Sequence, residues 1–100
     1  MKNSNNYDPK PIELKELPAS LSAVAEEIAK AVHDSWAKEK MAQGYVYGET
    51  RNDDPAAGLK THPMLKPYEE LSNDEQELDR ATARTTIAML TALGYRIEKA

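Results

Sequence analysis

The stretch Glu49–Leu71 limits what the rest of the chain can become. It holds Pro55, Pro63 and Pro67, half of the six prolines, with Gly58 inside it and Gly48 at its entrance. Proline cannot continue a helix and glycine weakens one, so no long helix fits there. Twenty-three residues without regular structure exceed an ordinary connection in a 100-residue chain. Loops of that length are usually functional or disordered. This one carries Leu59, Met64, Leu65, Tyr68 and Leu71, which predicts that it packs. The regular structure must therefore lie on either side of it.

On the N-terminal side, the spacing predicts a helix from Pro18 or Ala19 to about Gln43. Leu21, Val24, Ile28, Val32 and Ser35/Trp36 recur every three or four residues and give one apolar stripe. Ala25, Ala29 and Ala31 favour the helix and permit close packing. Glu26, Lys30, Asp34 and Lys38 alternate in sign at four-residue intervals, the pattern of a solvated face. Gly44 suits the position just past the helix end. On the C-terminal side, Ser72-Asn73-Asp74-Glu75 has capping-box spacing and opens a helix to about Leu93. Its predicted stripe is Leu78, Ala81, Thr82, Thr85, Ala88, Met89 and Ala92, widened by Ile87, Leu90 and Leu93. Gly94 stands past its end, with Tyr95 placed to fold back on it. Tyr45-Val46-Tyr47 suits a short extended piece closed by Gly48. Ile12–Lys15 and Tyr95–Glu98 alternate and are expected to pair as short terminal strands, since a lone strand leaves its ladder unsatisfied.

The chain is expected to be one domain over residues 11–100, behind a flexible polar lead-in over residues 1–10. The fold class expected is mainly α: two antiparallel helices, a long ordered connecting loop and short terminal strands. Net charge is −4, against the strongly basic footprint of a nucleic-acid binder, so no direct nucleic-acid binding is expected. There is no cysteine, hence no disulfide, thiolate nucleophile or Cys-type zinc site. The lead-in lacks the apolar segment of a signal peptide, and no apolar run approaches the ~18 residues that a membrane span needs. A cytoplasmic protein with no membrane partner is expected.

Little here suggests catalysis. His33 and His62 are the only histidines, with no His-Glu-x-x-His spacing, so no metal site is expected. No serine lies in a Gly-x-Ser-x-Gly turn, and no phosphate-cradling glycine loop occurs. Asp53-Asp54 and Glu69-Glu70 read as solvated pairs in loops. No enzyme and no cofactor are expected. The segment from Trp36 to Tyr68 stands apart, because it concentrates Trp36, Tyr45, Tyr47 and Tyr68 with Arg51, Asp53, Lys60 and His62. Rings beside cationic donors suit a small anionic or nucleotide-like ligand. They equally suit a long loop that needs aromatic plugs and donors for its carbonyls.

These residues also carry a resemblance. His33-Asp34-Ser35-Trp36-Ala37-Lys38, Gly44–Asp53 and Lys60–Leu71, followed by Glu75, Asp79, Thr82, Ala83, Thr86 and Leu93–Ile97, are similar to the ryanodine receptor repeat (RyR) domain family. The resemblance spans roughly residues 11–97. Two departures occur. Arg51 to His62 is eleven residues, where the family commonly has about seven, with the surplus near Pro55–Gly58. Tyr45 stands where the family commonly has tryptophan. The resemblance implies two main antiparallel helices with short strands and a long ordered loop. In animal channels such domains form tandem pairs about a pseudo-two-fold, apart from the pore, and bacteria and their viruses carry stand-alone or fused copies. It implies a non-catalytic binding or regulatory module, for which Trp36, Tyr45, Tyr47, Arg51, Lys60, His62 and Tyr68 are the expected ligand residues. The alternative it implies is an assembly domain acting as a symmetric homodimer or with a fused or co-expressed partner, through Ile87, Met89, Leu90 and Leu93.

Overall fold

Both expected helices form, and local chemistry sets their ends. A computed structural model describes residues 6–12, 17 and 19–100. Helix α1 spans Ala19–Ala42 and α2 spans Asn73–Ala92. The α1 C-terminus closes with Gly44 at φ +94°, its N–H on Met41 O, and Tyr45 N–H on Lys40 O. The α2 C-terminus repeats this with Gly94 at φ +96°, Gly94 N–H on Thr91 O and Tyr95 N–H on Leu90 O. Each turn satisfies carbonyls that the helix end would otherwise orphan, using a backbone conformation that glycine adopts without strain. At the α2 N-terminus, Glu75 N–H donates to Ser72 Oγ at 3.2 Å and Ser72 N–H donates to Glu75 Oε1 at 2.8 Å. Those bonds hold the Glu75 carboxyl below the usual carboxylate range.

The helices pack along a seam of small residues. Ala25 clusters with Ala83 and Ile87, with Leu17, Leu21 and Ile28 against them. Further along α1, His33 faces Asp79, so the helices run antiparallel. Ala29 and Ala83 are fully buried. This corrects the expected stripes. On α1 the seam is Ala25, Ala29 and His33, one position round from the larger apolar residues, and Val24 is exposed. On α2 it passes through Asp79, Ala83 and Ile87, while Leu78, Thr82, Thr85 and Met89 face outward. The alanines let the backbones approach closely, which displaces bulkier neighbours to the rim. The expected charge ladder on α1 is also broken. Glu26 accepts from Arg80 Nε at 3.0 Å, and Lys30 pairs with Glu69 at 3.4 Å. Only Asp34 and Lys38 of the four are exposed.

The connecting segment is ordered. Strands β1 (Val46–Tyr47) and β2 (Thr61–His62) pair in parallel, with Val46 opposite Thr61 and Tyr47 opposite His62. Parallel pairing needs a crossover of about a dozen residues, and the residues between the strands supply it. Asn52 adds an antiparallel bridge to Thr61, with reciprocal N–H···O bonds of 2.9 Å. Gly48 lies so close that a Cβ there would stand 2.6 Å from the Thr61 Cβ. The surplus residues form a 3-10 turn, Pro55–Ala57, capped by Asp54. A second 3-10 turn, Tyr68–Glu70, leads into α2. Ala29, Tyr68 and Leu71, with Met64 against them, form a second cluster that holds the segment to α1.

Among the described residues the strands lie inside the connection, and none forms at the C-terminus. Tyr95–Glu98 has no regular structure, and Tyr95 and Ile97 are exposed. Arg96 and Glu98 instead pair with each other at 2.7 Å. Residues 13–15 of the expected strand Ile12–Lys15 lie outside the described residues, as does Pro18. No helix among the described residues is long and apolar enough to cross a membrane.

Candidate functional site

His33 and Trp36, three residues apart on α1, project from one face toward the connecting segment. Their rings stack, with centroids 5.6 Å apart and planes at 27°. His62 from β2 meets Trp36 edge-on at 4.8 Å, and Tyr45 follows His62 at 6.4 Å. At the other end, Tyr68 lies 6.3 Å from His33. Tyr68, His33, Trp36, His62 and Tyr45 therefore form one column of rings between helix and loop. Edge-to-face and offset pairs of this kind contribute about 0.5–1.5 kcal/mol each beyond the area they bury.

Hydrogen bonds fix the column at each level. His33 Nε2 stands 2.7 Å from the Lys66 carbonyl. His62 Nδ1 accepts from the Met64 N–H at 3.1 Å, which requires a lone pair on that nitrogen. Burial, with the nearby charges of Arg51 and Lys40, lowers the His62 pKa and keeps the ring neutral. Tyr68 OH donates to Glu26 Oε1 at 3.0 Å, and its backbone oxygen accepts from Gln76 Nε2 at 2.9 Å.

The Tyr45 end is charged and more open. Its hydroxyl donates to Asp53 Oδ1, and Arg51 Nε reaches both Asp53 oxygens at 3.1 Å. The Asp53 bond raises the Tyr45 pKa, while the Tyr45 and Arg51 bonds lower that of Asp53. Two ammonium groups approach the same ring, Lys40 Nζ at 5.1 Å and Lys60 Nζ at 4.7 Å from its centroid. Neither is ion-paired to a carboxylate among the described residues.

Of the seven residues expected to form a site, Tyr45, Arg51, Lys60, His62 and Trp36 converge. The longer Arg51–His62 spacing does not scatter them, because the Asn52–Thr61 bridge closes the loop beneath the surplus turn. Tyr47 does not join: it is half exposed. Tyr68 sits at the opposite end of the column, on a groove of about 480 Å³ bordered by Lys30, Met41 and Lys66. Three contributors lie outside the seven expected residues. Lys40 is on the last turn of α1. Asp53 was noted beside the rings and cations, while the Asp53-Asp54 pair read as solvated. His33 gave one signal, its spacing from Trp36. Among the described residues, no group of three or more His, Cys, Asp or Glu could hold a metal ion.

The sequence model of the RyR domain matches residues 7–99, which takes in both helices, the ring column and the Tyr45 cluster. The chain belongs to the RyR domain family.

Proposed function

We propose that this RyR domain is a non-catalytic, cytoplasmic binding module that takes a small anionic ligand beside Tyr45. The observation that carries this reading is the pair of ammonium groups, Lys40 and Lys60, on one tyrosine ring with Arg51 nearby. Asp53 is the acid bound into the cluster, and it is already engaged by Tyr45 and Arg51. Unpaired cations on a fixed platform favour an incoming anion, since the ring and the loop have already ordered the donors. The phosphate part of a nucleotide suits this site better than its base. Trp36 is covered by His33 and His62, and Tyr45 by the lysines, so neither ring offers a free face for stacking. Titration with inorganic phosphate, followed by amide chemical shifts, should move the Lys60 and Tyr45 signals, and added salt should weaken the effect. Lys40→Ala/Lys60→Ala should abolish the shifts without unfolding the protein. Unchanged spectra at about 10 mM phosphate, a concentration that would reveal even millimolar affinity, would remove the reading.

A second reading, assembly through a symmetric homodimer, rests on a different observation. Met89, Leu90 and Leu93 at the end of α2 are exposed, together with Tyr95 and Ile97 just beyond. Ile87, expected to belong to this surface, is instead buried in the helix seam. Clustered exposed apolar residues mark interaction surfaces. Sedimentation should show a concentration-dependent dimer that Leu93→Glu converts to monomer. A monomer at every concentration excludes this version.

A further inference from the structure

We infer that His33 and Asp79 share one proton that the protein takes up when the connecting segment docks, making the docked state proton-linked. His33 is 2% exposed and lies where α1, α2 and the connecting segment meet. Its Nε2 is 2.7 Å from the Lys66 carbonyl, an atom that can only accept, so Nε2 carries a hydrogen. The other ring nitrogen, Nδ1, faces Asp79 Oδ2 at 3.7 Å. That oxygen is buried and has no hydrogen-bond partner. With a neutral imidazole and an ionised carboxylate, two lone pairs would face each other in a dry site with no donor between them. Placing one proton on either atom removes that conflict.

The surroundings favour keeping it. Glu75 on α2 and Glu69 on the 3-10 turn also feel the charge of His33, while the Tyr68 and Trp36 rings close the remaining sides. Lys66 and Lys30 are cations on this side: the Lys66 ammonium acts on Glu75, and Lys30 pairs with Glu69 at 3.4 Å. Burial independently raises the Asp79 pKa, against the pull of His33.

The sign of the linkage follows. Above about pH 6.5 the unfolded chain has a neutral imidazole and an ionised carboxylate, so it lacks the proton that the folded pair holds. The folded state then binds more protons, and stability falls as pH rises, until the folded pair releases its proton. One proton corresponds to at most about a tenfold loss in the folding constant per pH unit. Between about pH 4 and 6.5 the unfolded pair also holds one proton, and this contribution is flat. His62 acts in the opposite sense, below about pH 6.5. Its pKa is lowered by folding, so its contribution is lost as pH falls.

The test is urea denaturation of the full chain between pH 6.5 and 9, comparing the protein with Asp79→Asn. The amide can donate to Nδ1 without an ionisable proton. The parent should lose folding constant with rising pH by up to about tenfold per unit, and Asp79→Asn should lack that slope. Parallel slopes in the two proteins would overturn the inference. If Asp79→Asn does not fold, nitrogen and carboxyl-carbon NMR of the parent at pH 7.5 decides. A proton on either Nδ1 or the Asp79 carboxyl is expected, and finding both bare refutes the shared proton.

Discussion

Replacing His33 by alanine should destabilise the protein by about 3–5 kcal/mol, the cost of stripping one partner from a buried pair. The substitution leaves Asp79 facing an apolar gap and the Lys66 carbonyl without its donor. It also removes the ring between Trp36 and Tyr68. Urea denaturation measures the loss, and amide exchange localises it: protection should fall first over residues 62–70, which the column holds to α1. His33→Gln, whose amide still donates to Lys66, should recover part of the stability. A loss under 1 kcal/mol would mean that the column contributes little to holding the segment in place.

Tyr68→Ala should have an effect of similar size, about 3–5 kcal/mol, as expected for deleting a large buried aromatic. Tyr68 is 3% exposed and packs with Ala29 and Leu71. Its hydroxyl also joins Glu26 and Arg80 of the two helices into one network with the loop. Tyr68→Phe keeps the ring and loses only the hydroxyl bond, for which about 1 kcal/mol is expected. The ratio of the two losses separates packing from hydrogen bonding. Neither change should weaken phosphate binding in the protein that remains folded, because Tyr68 lies at the opposite end of the column from Tyr45. Loss of binding in folded Tyr68→Phe would contradict the assignment of this residue to structure.

The legible parts of the fold were those decided within a few residues. Ser72 and Glu75 mark the start of α2, and Gly44 and Gly94 mark the helix ends, because caps are local hydrogen-bond problems. The prolines between residues 49 and 71 correctly excluded a long helix. The packing seam was less legible. Hydropathy points to Val24 and Leu78, yet Ala25 and Ala83 are buried, since close approach of two backbones selects small residues. Glu26 and Lys30 read as solvated because their partners, Arg80, Tyr68 and Glu69, lie far along the chain. The candidate site was legible in its residue types but not in its geometry. Tyr47 and Tyr45 look equivalent two residues apart. A regular strand would put both on one face, but Tyr45 precedes β1 in the turn that closes α1 and is buried, while Tyr47 lies in β1 and is half exposed.

The Asn52–Thr61 bridge seals the base of the Asp54–Leu59 excursion before the chain reaches β2. Asn52 Nδ2 further staples Asp54 O and Leu59 O at 3.1 and 2.8 Å, and Asp54 accepts from Ala56 N–H at 2.9 Å. The excursion therefore satisfies its own backbone and transmits no register shift to Thr61 or His62. Its tip behaves as a spacer of adjustable size, where residues can be added or removed while the architecture below keeps its alignment.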